Sequence, residues 1–316
     1  MPSNPVTVAY ITARKEPHWE WFFESLAKQM TPEDYGAIKV LVIDFYAQGH
    51  KTGDGWSEVD AANRLTDLYS VAKCNVTHHA PIWGPWQGPH RITKDNWWAK
   101  ADYLNAAIAL CATDWLAVVD DLSVLRPGWL AAAREATAWK GVTCGAYRKV
   151  NALEVKNGDV ENFAEHPAGM DSRVRFYGLR DVSPCPGYRM FTCNFVAPIA
   201  ALLAVDGFPQ MTHGLGYEDC ETGKMIERSG VRFRFDPRMM IYESEELHHV
   251  GPTMRRADPG VSPRDKSHAF IDRAATLTRW PNHFGPGGLA AVRQRVLAVR
   301  LPLNSSPYHE EIPVSS

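Results

Sequence analysis

The chain is short of several features that place a sequence quickly. Its six cysteines (Cys74, Cys111, Cys144, Cys185, Cys193 and Cys220) are scattered, and no two are spaced C-x-x-C. That argues against a ribbon-type zinc site or a disulfide framework and fits thiols kept reduced in a cytosol. No apolar run approaches the length of a bilayer span. The opening "MPSNPVTVAY" has no basic segment followed by an apolar stretch, so no signal peptide is read, and a soluble cytoplasmic protein is expected. There is no internal repeat and little net charge: 34 Lys and Arg against 36 Asp and Glu leave -2, which argues against general polyanion binding. What remains is a chain of 316 residues, long enough to bury a full core.

The first half alternates strand and helix signals. "VTVAYIT" (6–12) and the near-continuous apolar run "KVLVIDFY" (39–46) read as strands, the second covered on both faces. "HWEWFFESLAKQM", "WSEVDAANRLTDLYSVAK", "DNWWAKADYLNAAIALC" and "GWLAAAREATAW" have helical spacing, with "CNVTHHA" and "DWLAVVDD" as strands between them. Repeated β-α units predict an α/β fold with a mostly parallel central sheet flanked by helices. Ligands of such sheets gather at the carboxyl ends of the strands, where Thr12, Asp44, Asp120 and Asp121 all fall.

After about residue 145 the pattern loosens into a long polar stretch (151–190) interrupted by Gly and Pro, an irregular region of the kind that is functional or disordered. Order returns with "FTCNFVAPIAALLAVDGF", the acidic segment "GLGYEDCETGKMIERSG" and the alternating strand "VRFRF". Residues 251–300 hold nine Lys and Arg against three Asp and Glu, and 301–316 read as an exposed tail. A solvated basic face and a phosphate-binding surface both fit that excess.

Two acidic pairs stand out. Asp120 and Asp121 close the apolar run "WLAVV", where two carboxylates repel each other and lose solvent. A divalent cation relieves both, and carboxylate oxygens favour magnesium or manganese over zinc. The alternative is that one acid caps the next turn and the other is solvated. Glu218 and Asp219 stand where a glycine-containing loop (Gly214, Gly216) becomes a helix. The helix start offers unpaired N–H groups, and a carboxylate fixed there can take a proton from an incoming hydroxyl while its neighbour orients it. Capping alone needs one acid. Downstream, His248 and His249 are a candidate source of an imidazole ligand.

The order of these segments resembles the GT-A nucleotide-sugar glycosyltransferases. It is most similar to the family 2 type, with a carboxyl-terminal motif region like that of galactosyltransferases, over roughly residues 5 to 250. The similarity is strongest in "DGFPQMTHGLGYEDCETGKMIERSG". The resemblance implies that Thr12, Arg14 and Asp44 surround the nucleoside, with Asp44 accepting from a uracil N–H, and that Lys100 and Asn105 lie near the nucleotide and donor. It implies Asp121 as a direct ligand of Mn2+ or Mg2+ and Asp120 as support for ribose or metal. The family usually carries an acid two positions after the first, where this chain has Leu122. Asp219 is implied as the base, Glu218 as the group that holds the acceptor, and one of His248 and His249 as the downstream metal ligand.

The expectation is a metal-dependent, inverting transferase moving a sugar from a UDP-linked donor to a hydroxyl. The aromatic segments "PIWGPWQGPHR" and "DNWW" suit stacking on sugars or bases, and with the basic segment they leave open either a glycan or a hydroxymethylated base of nucleic acid as acceptor. A nucleotidyltransferase or phosphohydrolase, and a non-catalytic sugar-nucleotide-binding module, are the alternatives. The expected organisation is one domain over 1–250, with a nucleotide-binding half (1–145) and an acceptor half (146–250), a basic extension (251–300) packed on it, and the tail.

Overall fold

The computed structural model describes residues 5–47, 57–81, 100–162, 165–209, 218–249, 276–280 and 287–299. The aromatic segments 82–91 and 95–98, Gly214, Gly216, most of the basic extension and the tail lie outside the described residues.

The first strands are β1 (Val6–Thr12), β2 (Lys39–Asp44), β3 (Asn75–His79) and β4 (Trp115–Asp120), with α1 (Trp19–Ala27), the short α2 (Asp34–Ala37), α3 (Glu58–Val71) and α4 (Lys100–Leu110) between them. Strand β5 (Ser123–Leu125) and α5 (Trp129–Trp139) follow, then β6 (Val142–Val150), the small hairpin β7 (Val155–Lys156) and β8 (Asp159–Val160), β9 (Glu165–Met170), α6 (Val174–Tyr177) and β10 (Ser183–Pro184). The remainder is β11 (Asn194–Pro198), α7 (Ile199–Ala204), α8 (Glu218–Arg228), β12 (Phe233–Ser244), α9 (Glu245–His249) and α10 (Gly288–Val299).

The main sheet has the order β10-β12-β6-β11-β4-β1-β2-β3. Strands β1, β2, β3, β4, β6 and β12 run one way and β11 runs against them, so the sheet is mostly parallel. Every residue of β1 is buried, because both faces are covered. Val8 and Tyr10 join the apolar layer built with Phe22 and Phe23 of α1 and Trp129 of α5. Ala9 and Ile11, one residue out of phase, join the opposite layer with Leu104 and Ile108 of α4, Leu202 of α7 and Leu289 of α10. Helix α4 is buried along Ala101–Leu110, which is why it lacks a polar stripe.

The chain steps outward from β1 to β2 and β3, then returns to place β4 on the other side of β1. Order reverses at that point, and ligands of such sheets bind at the carboxyl ends of the strands there. The described parts of the C-terminal extension pack on this body. Trp280 is buried with its indole N–H on Thr222 Oγ1 of α8 at 3.0 Å, and Arg293 of α10 donates to the Cys111 carbonyl at 2.9 Å.

The stretch expected to be irregular, 151–190, carries the short elements β7, β8, β9, α6 and β10 and is fastened by a buried ion pair, Asp171 with Arg173. The Arg173 guanidinium also donates to the Gly145 carbonyl at 2.5 Å and lies over the Phe191 and Phe235 rings. The strand expected over 231–235 instead runs on to Ser244, with its register broken between Asp236 and Met240. That extension delivers Glu243 beside Ser123 of β5 and Lys149 of β6.

Candidate active site

At the carboxyl end of β1, Thr12 Oγ1 donates to Asp121 Oδ2 at 2.9 Å and Arg14 Nε reaches the same oxygen at 3.0 Å. Asp121 is aimed there by the next residue. Leu122 adopts φ +57°, which is uncommon for a residue with a side chain, and donates its N–H to the Tyr10 hydroxyl at 3.3 Å. Its own side chain packs into a third apolar cluster with Trp21, Val150 and Leu153. Burial pushes the Asp121 pKa up, Arg14 opposes that shift, and neighbouring Asp120 adds to it. Arg14 Nη1 also donates to the Leu247 carbonyl at 2.9 Å, tying Asp121 to α9, the helix that carries His248 and His249. The side chains of those two histidines lie outside the described residues.

Asp120 takes a different partner. Lys100, the first residue of α4, places its Nζ 2.6 Å from Asp120 Oδ2. Burial works against the Lys100 ammonium, but Asp120, Cys193 and Asp219 outweigh it and hold the pKa above the ordinary lysine value. Lys100 therefore senses carboxylates from β4 and from α8, acids about a hundred residues apart in sequence.

Helix α8 lies on the turn Gly187–Arg189, and Gly223 allows that contact: a Cβ there would sit 1.9 Å from the Gly187 carbonyl oxygen. This seats the start of α8 against the segment before β11. Asp219 Oδ2 accepts from the Thr192 N–H at 3.3 Å and Oδ1 from the Cys220 N–H at 2.7 Å. Glu218 is half-buried; burial, then the Asp219 charge, push its pKa to about 7. A carboxyl poised there can take up and release a proton near neutrality.

Asp44 and Asn105 are closed off. Asp44 is fully buried and accepts from Arg64 Nε at 2.5 Å and Nη2 at 2.9 Å, from His78 Nε2 at 2.8 Å and from the Tyr46 N–H at 3.0 Å. Burial favours its neutral form, yet Arg64 and His78 win and hold the carboxyl well below the usual range. With all four acceptor positions filled, accepting from a uracil N–H requires that a bond be released first. Asn105 is buried and clamps the Phe208 backbone, donating to its carbonyl at 2.9 Å and accepting from its N–H at 2.8 Å. The amide thus holds the loop after α7 to α4.

Glu243 was not anticipated. It is 6% exposed, its Oε1 has no hydrogen-bond partner, and its pKa is pushed to about 8 by burial first and by Asp120 next, against Lys149 and Lys100. Nothing in "YESEELHH" distinguishes it, since acids in such a run read as solvated. Arg64 and His78 were likewise missed, although an arginine inside an amphipathic helix twenty residues after Asp44 was a usable signal.

Among the described residues, no group of three or more His, Cys, Asp or Glu side chains is gathered around one point. The donor set still suits an oxygen-preferring cation. Asp120 and Asp121 are adjacent, Asp120 raises the cost of charging Asp121, and Arg14 links Asp121 to α9. No helix among the described residues is long and apolar enough to cross a membrane.

No family model and no curated protein matches the chain by sequence. Solved structures do. Residues 1–349 of TarS from S. aureus, solved with UDP-GlcNAc, superpose with TM-score 0.54 at 15% identity, over 92% of this chain and 71% of that one. GalNAc-T7, solved with UDP, GalNAc and Mn2+, gives TM-score 0.53 at 10% identity, over 96% of this chain and 52% of that one. At such identities the likeness speaks for architecture alone. The chain has the GT-A fold of the nucleotide-sugar glycosyltransferases.

Proposed function

We propose that the protein is a glycosyltransferase that moves a sugar from a nucleotide diphosphate donor, UDP-linked, to an acceptor hydroxyl of a glycan or of a hydroxymethylated nucleic-acid base. The observation that carries this reading is that one segment links the Lys100–Asp120 pair to Asp219: the Cys193 carbonyl takes the Asp120 N–H, and the preceding Thr192 N–H holds Asp219. One side suits a charged leaving group and the other an incoming hydroxyl. The ligands of the two similar structures, UDP-GlcNAc in TarS and UDP with Mn2+ in GalNAc-T7, support the donor class.

Asp121, with Asp120 beside it and His248 or His249 from α9, would hold a manganese or magnesium ion, whose chemistry is to neutralise charge on the departing diphosphate. Lys100 and Arg14 add fixed positive charge on the same side. Asp219 has both oxygens oriented by backbone N–H groups, so its free lone pairs face a set direction as it takes the acceptor proton. Glu218 holds the acceptor hydroxyl. Attack from the face opposite the leaving group inverts the anomeric centre.

Thermal unfolding with UDP-, GDP- and TDP-sugars, with and without Mn2+, tests the reading. A ligand at a hundred times its Kd stabilises by about 2.7 kcal/mol, and the expected result is a shift with UDP-sugars that depends on the ion. Product analysis then separates mechanisms: a transferase releases nucleoside diphosphate. Release of nucleoside monophosphate or pyrophosphate instead would assign the site to phosphoryl chemistry.

A further inference from the structure

Glu243 poses a physical problem that the roles above leave unsolved. It stands near the end of β12, more than nine-tenths buried, with an oxygen that nothing among the described residues satisfies. The large majority of buried side-chain polar atoms in folded proteins are paired, and one left open at a site points to a partner that arrives with the ligand.

Its surroundings restrict that partner. Asp120 and Asp121 act on Glu243 as like charges, and Lys149 and Lys100 act against them. Lys149 and Lys100 are themselves ion-paired, with Glu245 and Asp120. A phosphate oxygen brings more negative charge to a place already rich in carboxylates, so it does not fit. The cation proposed above is assigned to Asp120, Asp121 and a histidine of α9, and a cation role for Glu243 itself is an outcome of the test below. A hydroxyl fits in every respect: it is uncharged, and it both donates and accepts, so it pairs with a carboxyl in either protonation state.

Position says which hydroxyl. Glu243 stands at the carboxyl end of β12 in register with Lys149 of β6, and β6 pairs with β11. Just before β11, Cys193 accepts the Asp120 N–H on its carbonyl and directly follows Thr192, whose N–H holds Asp219. Glu243 thus shares one end of the sheet with the acids at the leaving-group side and the acids at the attacking side. The group that must cross this space is the sugar being transferred.

We propose that Glu243 selects the transferred sugar, its Oε1 pairing with one ring hydroxyl of the donor. The inference rests on the transferase reading and adds to it a residue that distinguishes donors differing at a single carbon. A site built to hydrogen-bond one hydroxyl rejects the analogue that lacks it far more strongly than an apolar pocket rejects a change of size.

The test measures dissociation constants in Mn2+ for UDP-glucose, UDP-galactose, UDP-GlcNAc and GDP-mannose, and for UDP and GDP alone. Wild type, Glu243→Gln and Glu243→Ala are compared, followed by deoxy analogues of the best donor. Wild type should prefer one sugar over its single-carbon isomer by about tenfold or more, and one deoxy analogue should lose about as much. In Glu243→Ala the preference should shrink to within about twofold, with bare nucleotide binding unchanged and no further loss for that analogue. Preference retained in both variants overturns the proposal, as does an equal loss for bare UDP, which marks a nucleotide or cation role. If Glu243→Ala does not fold, the isosteric Gln variant and the wild-type deoxy series decide: a series in which no hydroxyl matters also overturns it. A wild type that binds bare nucleotide and no sugar nucleotide fails the transferase reading itself, an outcome distinct from unaltered preference in the variants.

Discussion

Two groups of buried acids sit at the carboxyl end of the same sheet and obey opposite rules. Asp44 has every lone pair filled by Arg64, His78 and Tyr46. The second group, Asp121, Glu218 and Glu243, is under-partnered: burial raises the pKa of each, and Glu243 Oε1 is bare. Satisfied networks rigidify a fold, whereas unsatisfied ones persist where a ligand completes them. The first group also serves the second. Arg64 donates to the Arg14 and Lys15 carbonyls at 2.6 Å, and so fixes the loop from which Arg14 reaches Asp121.

The contrast is broken most directly at Asp44. Asp44→Ala leaves Arg64 and His78, 4% and 5% exposed, without their shared carboxylate. A loss of about 3–5 kcal/mol in denaturant unfolding is expected, as for other broken buried pairs. A loss under about 1 kcal/mol shows that Asp44 is not the brace described here.

Asp219→Asn tests the other group by function. Donor binding should stay near wild type while transfer falls by roughly a hundredfold or more, the usual contribution of a placed base. Retained turnover removes Asp219 from that role and leaves Glu218 as the acid to examine.

Glu218 sharpens the comparison through pH. With its pKa near 7, the carboxylate form is lost as pH falls below neutrality. Transfer at low substrate should decline about tenfold per pH unit on the acid side, and Glu218→Gln should abolish that limb while lowering the plateau. A limb unchanged in the variant assigns the titration elsewhere.

The same contrast explains what was legible beforehand. Strands β1, β2 and β4 could be read because burial on both faces leaves an unbroken apolar run, and Asp120, Asp121, Glu218 and Asp219 could be read because paired acids at element ends need a reason. Partners supplied from elsewhere could not. Arg64 looks like the solvated face of α3, and Asn105 shares its helix with residues whose faces only the packed layers distinguish. Glu243 follows Pro237 and a register break in β12, and its burial comes from β5 and β6, on which the local pattern is silent.

The last effect is the dependence of stability on pH, and its sign separates the two groups. Glu218 and Glu243 have folded pKa values raised to about 7 and about 8, above the ordinary glutamate value. Between the unfolded and folded pKa values, the folded state holds protons that the unfolded state has released. Each group's favourable contribution is thus fully present below the unfolded pKa and is lost as pH rises through the folded one. Stability should decline from about pH 5 toward pH 8, by at most about 1.4 kcal/mol per pH unit for each group. Asp44, shifted downward, acts in the opposite sense: its contribution is present above its unfolded pKa and is lost only as the medium becomes strongly acidic. Glu243→Gln should roughly halve the decline between about pH 5 and 7, remove it between about pH 7 and 8, and leave the loss in strongly acidic medium intact. Urea titrations at half-unit intervals measure both slopes. A variant whose alkaline slope matches wild type shows that Glu243 finds a partner in solution, and places it with Asp44 among the satisfied acids.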